Sequence, residues 1–438
     1  MARVSVSQML NALVDLGRHY LDRPAADSSA DALVARCHDL VSAHGEASGT
    51  ALASQILDGY LALDDGGRLD ILLRLDREFA PDSEALSAAA RNYAVTPDDE
   101  TYRALADAIE APRQELFRRL NMAPGGTAAI VGMRQLILPQ LRDHPALKPF
   151  EHDLKHLLAS WFNRGFLQFE QIDWRTPAVI LEKLIAYEAV HEIQGWDDLR
   201  RRLADDRRCF GFFHPALPDE PLIFVEVALT HGLAGEIHTL IDTAPDNNAD
   251  KEQPDTAIFY SISNCQAGLA GISFGNFLIK QVADAVKKEF PGITQFATLS
   301  PIPGFRKWLD DVLVRDTPDG LSEDDIDLLN RSDWRENELI RQPLKPSLMS
   351  LCARYLIEEK SNGRPLDPVA RFHLGNGASV ERINWAADLS DKGIEQSTGM
   401  MVNYLYDSDQ IVRNHEAYVR DGIVAASSAV TKLAKNRD

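Results

Sequence analysis

Cysteine is scarce in this chain: Cys37, Cys209, Cys265 and Cys352 are the only four in 438 residues. They are scattered, and no two have the C-x-x-C spacing of a zinc or redox site, so neither a zinc site nor a redox motif is predicted. Long apolar runs are missing too; none approaches the ~18–20 residues that a membrane helix needs. Basic charge is in deficit, with 46 Lys and Arg against 66 Asp and Glu, a formal net charge of −20. Such a chain repels nucleic acid and anionic membrane unless it carries a local basic patch, and an anionic substrate would need one as well. The start, MARVSVSQML, lacks the apolar core of a secretory signal, and the end, KLAKNRD, is not a peroxisomal or lumenal address. The expectation is a cytoplasmic protein with room for two domains, of ordinary composition at 45% hydrophobic and 26% charged.

Helical periodicity is plentiful. It runs through residues 1–170, which read as a bundle that packs or oligomerises and show no chemistry. Thr101 to Met122 is one charged helical stretch, with Leu105, Ile109 and Leu116 inward. Pro112 inside it must kink or split it, and Pro124-Gly125-Gly126 ends it. Residues 171–438 read as a second domain. Thr176-Pro177 is a helix start, a hydroxyl cap before proline. Strands are predicted at Arg208–Phe213 and Leu222–Leu229, joined by a turn at Pro218-Asp219-Glu220-Pro221, then at Thr256–Ser263 and Ile293–Leu299. A helix is expected from about Ile272 to Phe290. Pro368 to Leu374 leads into a Gly-Asn-Gly turn, which puts His373 near a strand end.

Two features raise the question of chemistry. In TLSPIPGF (298–305), Ser300 precedes Pro301 and Ile302 precedes Pro303, so both are biased to extended backbone. That is either a rigid strand exit or a hydroxyl held at a fixed angle over a pocket. The strand–loop–helix–strand order around NCQAGLAG (264–271) is a phosphate-binding arrangement, because Gly268 and Gly271 let amides converge at a helix start. It is neither a Walker A loop nor GxGxxG, and a glycine-bearing loop is often only structural. Ser261 and Ser263 either line a pocket or are buried and hydrogen-bonded. Taken alone, His373 reads as a structural histidine, as do His191, His214 and His231. No GxSxG elbow surrounds Ser300, which disfavours a hydrolase.

Longer stretches are more specific. HPALPDEPLIFVEVALT (214–230), AIFYSISNCQAGLAGISFGNFLIKQV (257–282), FATLSPIPGFRKWL (296–309) and RFHLGNGASVERINWAADLSDKGIEQSTGMMVNYLYD (371–407) closely resemble the malonyl-CoA decarboxylase family, in this order. LNMAPGGTAAIVGMR (120–134) is a weaker match to it. The resemblance implies an α+β chain: an all-helical oligomerisation domain, then a GNAT-like mixed α/β catalytic domain. It implies a carboxy-lyase of malonate and fatty acid metabolism that turns malonyl-CoA into acetyl-CoA and CO2. No metal and no organic cofactor is implied, CoA being part of the substrate, and the assembly would be a homo-dimer or homo-tetramer.

The family's serine in LSPIPGF falls on Ser300, and its histidine in FHLxNGA on His373. Its loop for the CoA pyrophosphate falls on Ala270, Gly271, Ile272, Ser273, Phe274, Gly275 and Asn276, with Gln266 and Gly268 beside them. Ser273 stands where some members carry glutamate, so a scheme that needs that acid does not fit this chain. The anionic CoA directs attention to Arg306, Lys307 and Lys280 as phosphate partners. A histidine titrating near neutral would supply the proton to Cα, Ser300 would position the carboxylate or relay that proton, and amides near Ile262–Asn264 would hold the oxyanion. A CoA-dependent acyltransferase and a non-catalytic CoA-binding protein are the alternatives.

Overall fold

The computed structural model describes residues 11, 14–15, 29–42, 45–242, 253–272, 278–315, 321–329, 331 and 333–436. The chain packs as two compact units. The first is Met1–Gln168 with Phe213–Glu220 and Gln266–Phe274; the second is Phe169–Phe212 with Pro221–Cys265 and Gly275–Asp438. Two short segments beyond residue 170 thus pack with the first unit.

The first unit is built of helices, from Ala30–Ser42 to Lys148–Trp161. Pro112 splits the charged stretch: one helix covers Asp99–Ile109, and the next is Pro112–Asn121. At the first helical position the N–H that proline lacks would have no helical partner anyway. Leu116, Phe117, Leu120, Ile130, Phe150 and Leu154 are fully buried. Arg113 is buried beside them with its charge matched, Nε donating to Asp153 at 2.5 Å and Nη1 to Asp76 at 3.1 Å. Ile109, expected inward, is 58% exposed. Its helix packs mainly on Ser83–Val95, and neither of the two buries a residue.

The strands are β1 (Gln168–Ile172), β2 (Arg207–His214), β3 (Leu217–Thr230), β4 (Thr256–Asn264), β5 (Gln295–Thr298), β6 (Ser300–Pro301), β7 (Lys360–Ser361), β8 (Arg364–Pro365), β9 (Ser379–Asn384) and β10 (Met401–Leu405). The main sheet runs β1-β2-β3-β4-β5-β10-β6, with β9 on β10; β7 and β8 form a small separate ladder. β4 is antiparallel to β3 and parallel to β5. A parallel pair needs a long crossover, and helix Leu278–Glu289 lies in it. This is a mixed parallel and antiparallel sheet after a helical region, the α+β class expected. Ile258, Tyr260, Ala297, Leu299 and Met401 share one hydrophobic cluster with Ile237 and Leu240. Strand alternation turns Phe259, Thr298 and Ser300 to the opposite face.

Three local expectations change. Pro218–Pro221 lies within β3, and the turn falls at Pro215-Ala216, where the Ala216 N–H donates to His214 Nδ1 at 3.1 Å. Thr176 does not cap the next helix, which is Ala178–Tyr187 with Pro177 at the cap position; the Thr176 hydroxyl accepts from the Asp173 N–H instead. His373 lies on a helix, Pro368–Gly375. Asp367 caps that helix, accepting from Val369 and Ala370 at 2.9 Å each, and proline follows as the first helical residue. That is a strong start signal.

The second oxygen of Asp367 accepts the Gly304 N–H at 3.3 Å. Asp367→Ala is expected to cost ~1–2 kcal/mol through the lost cap and to loosen the helix that carries His373, whereas Asp367→Asn keeps an acceptor. Chemical denaturation measures this. Equal stability of Asp367→Ala and the parent contradicts it.

Candidate active site

Ser300 follows the point where β4 and β5 part. Their ladder ends at Phe259↔Thr298, and the Leu299 N–H still reaches the Phe259 carbonyl at 3.0 Å. β6 then pairs with β10, Ser300 opposite Val402 and Pro301 opposite Met401. The prolines lead into a turn that cannot move freely. A Cβ on Gly304 would stand 2.1 Å from the Tyr355 hydroxyl, so any side chain there would have to push Tyr355 aside.

His373 comes from its helix onto the same spot. Its Nε2 is 3.1 Å from Ser300 Oγ, and its Nδ1 is 2.7 Å from the Tyr406 hydroxyl. Its ring stacks on Tyr404 at 4.6 Å. The Ser300 hydroxyl donates to Thr298 Oγ1 at 2.8 Å, and Thr298 Oγ1 also accepts the Tyr404 N–H at 3.1 Å. With Ser300 donating to Thr298, Nε2 carries the ring proton and donates to Ser300, and Nδ1 accepts from Tyr406. Ser300 is 6% exposed and His373 3%. Burial pushes His373 down to about 3, and no opposing charge offsets it, so the ring is neutral. The expectation of a histidine titrating near neutral is overturned by this dry setting.

β4 carries an irregularity beside this point. Its register with β3 passes from Phe259↔Val227 to Ser261↔Glu226, skipping Tyr260. Such a bulge re-aims the strand, and bulges are frequent next to active sites. The Cys265 N–H donates to Leu222. In an antiparallel ladder bonded and non-bonded pairs alternate, so the amides of Ile262 and Asn264 point away from β3, toward the side that β5 has left. Ser261 and Ser263 take the structural role. Both hydroxyls donate to the buried Glu188, Ser261 at 2.8 Å and Ser263 at 3.1 Å.

In the first unit, the loop Gln266–Ile272 is tied down by Arg134, which donates to the carbonyls of Gly268 at 2.6 Å and Ala270 at 2.8 Å and pairs with Glu151 at 2.8 Å. Gly268 is needed for close approach, since a Cβ would lie 2.1 Å from the Val131 carbonyl. Gly271 has φ +72°, and Lys155 Nζ would be 3.4 Å from a Cβ there. Gln266 Nε2 donates to Glu220 at 3.4 Å. Ser273, Phe274, Gly275 and Asn276 lie outside the described residues. Arg306, expected to meet phosphate, is part-exposed and pairs with Asp310 at 2.8 Å on its own helix.

The structure therefore joins Ser300 to His373 and adds Thr298, Asp367 and Tyr406, which sequence reasoning passed over. Arg134 was missed as well. Tyr406 and Arg134 lie in or at the end of the quoted stretches, but nothing in spacing marks a tyrosine as the partner of a distant histidine. Among the described residues there is no cluster of His, Cys, Asp and Glu able to hold a metal ion.

Residues 165–438 match the family model of the malonyl-CoA decarboxylase C-terminal domain, and residues 79–162 that of the N-terminal domain. The chain is 37% identical over 406 residues to a protein named mitochondrial malonyl-CoA decarboxylase from Anser anser anser, covering 85% of this chain and 81% of that one. It is 34% identical over 435 residues to the protein of the same name from Rattus norvegicus, covering 91% and 85%. The crystal structure of malonyl-CoA decarboxylase from Rhodopseudomonas palustris superposes with a TM-score of 0.85 at 50% identity, over 92% of this chain and 99% of that one. The one from Agrobacterium vitis gives 0.84 at 45%, over 92% and 100%.

Proposed function

The chain belongs to the malonyl-CoA decarboxylase family, and we propose that Ser300 and His373 protonate the enolate left when malonyl-CoA loses CO2. The activity is that of a carboxy-lyase, malonyl-CoA to acetyl-CoA and CO2. The bond from Cα to the carboxylate breaks, CO2 departs, and the electron pair enters the thioester. The thioester carbonyl is itself the electron sink, so the reaction is written without metal or organic cofactor. Ser300 then gives its proton to Cα and recovers one from Nε2–H of His373. A positioned acid of this kind is worth ~10²–10⁴ in rate.

The observation that carries the proposal is the 3.1 Å contact between two buried groups. The Ile262 and Asn264 amides are assigned to the enolate oxygen, where one donor typically contributes ~10²–10³. Gln266, Gly268 and the loop 270–276 are assigned to the CoA pyrophosphate. Arg306 is assigned, separately, to a phosphate of the substrate, which would replace Asp310 as its partner. An acyltransferase needs a base for an acceptor amine, and among the described residues no carboxylate touches Ser300 or His373, which favours the lyase.

The proposal extends to setting and assembly. Cys37, Cys209 and Cys352 are buried thiols without disulfides, in keeping with the cytoplasm. No helix among the described residues is long and apolar enough to cross a membrane. A homo-oligomer is assigned to helices Ser83–Val95 and Asp99–Ile109, whose Val95, Tyr102 and Ile109 are exposed. Exposed apolar groups gathered on one helical pair are the usual mark of an interaction surface. Sedimentation equilibrium should show a dimer or tetramer that Tyr102→Asp weakens; a monomer at all concentrations rejects this.

The test of the chemistry is CO2 release from malonyl-CoA with no metal, amine or other additive. The parent should turn over, accumulating acetyl-CoA. Ser300→Ala and His373→Ala should each lose ~10²-fold or more while still binding CoA. Retention of the parent rate by both contradicts the assignment.

A further inference from the structure

β10 passes from β6 to β5 across Leu299, which belongs to neither strand. One register holds on both sides: Val402 faces Ser300, and Leu405 faces Ala297. It sets Tyr404 opposite Thr298. In an antiparallel ladder the bonded pairs recur at every second residue. The Tyr406 N–H meets the Phe296 carbonyl at 2.8 Å, so the Tyr404 N–H is due at the Thr298 carbonyl. It goes instead to the Thr298 side chain, to Oγ1 at 3.1 Å. The carbonyl left over is taken by Asn403 Nδ2 at 2.7 Å. β10 is irregular at this point, its register with β9 shifting between Asn403 and Tyr404.

Asn403 is fully buried, and its amide is used completely. Nδ2 donates to the carbonyls of Thr298 and Ala234, while Oδ1 accepts from Arg382 Nε at 3.0 Å and from Asn384 Nδ2 at 2.8 Å. Only one orientation of the amide satisfies all four. Thr298 is fully buried as well, held at its carbonyl by Asn403 and at its side chain by Tyr404. Being β-branched, it is stiff at χ1. A hydroxyl oxygen offers two lone pairs. The Tyr404 N–H takes one of them, and the Ser300 O–H, at 2.8 Å, takes the other.

Resting on the Ser300–His373 reading, we propose that Thr298 is a positioning residue which, by accepting the Ser300 O–H, fixes the tautomer of His373. With its proton aimed at Thr298, Ser300 offers Nε2 a lone pair, and the ring meets it with Nε2–H across 3.1 Å. The Tyr406 hydroxyl does not decide the matter, because a phenol both donates and accepts and so suits Nδ1 in either tautomer. Without the Thr298 hydroxyl, the best acceptor left to the Ser300 O–H is Nε2. The ring proton then belongs on Nδ1, donated to Tyr406, and Ser300 and His373 form the pair of a general base. An enolate that must gain a proton needs the opposite arrangement. Thr298 acts on the reaction only through Ser300.

The test compares the parent, Thr298→Val and Thr298→Ser for kcat, for KM and for the nitrogen-15 NMR signature of His373, which tells Nε2–H from Nδ1–H. Thr298→Val keeps the shape and removes the acceptor. It should lower kcat at least ~10-fold with KM within about twofold, and its His373 should carry the proton on Nδ1. Thr298→Ser keeps the acceptor and should return both the rate and the Nε2–H signature. A Thr298→Val enzyme whose His373 stays Nε2–H overturns the proposal even when its rate falls; so does an unchanged kcat. Thr298→Val also deprives the buried Tyr404 N–H of its partner, so Ser300→Ala gives a second reading should that variant not fold. Cut off from Thr298, its His373 should no longer be wholly Nε2–H, and a ring that stays wholly Nε2–H rejects the proposal. Full activity of Ser300→Ala and His373→Ala in the kinetic assay instead brings down the reading on which the proposal rests.

Discussion

Asp367 places both its carboxylate oxygens on backbone amides, and the segments it joins carry Ser300 and His373. One oxygen caps the helix of His373, and the other holds Gly304 in the turn behind Ser300. The residue is fully buried, and burial raises its pKa above the ordinary carboxylate value while the amides it accepts from pull the other way. Around this tie the turn is fixed by Pro301 and Pro303 and by the contact of Gly304 with Tyr355. The distance between Ser300 and His373 thus depends on a buried carboxylate that touches neither. On the proposed reading, a hydroxyl that must meet Cα at one angle is better served by such a turn than by a mobile strand end.

The second constraint is neutrality. A Ser–His–acid triad uses a buried carboxylate to stabilise an imidazolium. Here the place on Nδ1 belongs to a phenol, and the stacked ring of Tyr404 adds no charge. Such a ring is poorly placed to make serine a nucleophile and well placed to pass a proton to a carbanion. The acidic surface does not reach this point. The linkage sign follows from the lowered value: the neutral ring adds stability that is complete above pH ~6.5, the unfolded histidine's value, and is lost as pH falls toward about 3.

Much of this was legible in the residues, and the failures have physical causes. β-rich runs marked β3 and β4, and Pro112 marked a helix break, because both effects are local to the backbone. Ser300 stood out because prolines restrict their neighbours. The helix of His373 was missed although Asp367-Pro368 is a cap followed by proline, since the glycines after it read as a strand turn. The PDEP segment looked like a turn, yet Asp219 absorbs the irregularity at φ 60° within β3. Gly268 and Gly271 were legible as a loop, but the clasp of Arg134 on its carbonyls joins residues 134 positions apart or more and leaves no local mark. For the same reason no periodicity could show that Tyr406 meets His373, or that burial would take the histidine out of the neutral range.

The central claim is a neutral His373 with its proton on Nε2, directed at Ser300. Nitrogen-15 NMR of histidine-labelled protein, assigned with His373→Ala, reads protonation and tautomer directly. The account predicts a neutral imidazole protonated at Nε2 and unchanged between pH 8 and pH 5, far above a value of about 3. An imidazolium that forms near pH 6.5, or a ring protonated at Nδ1, would contradict it.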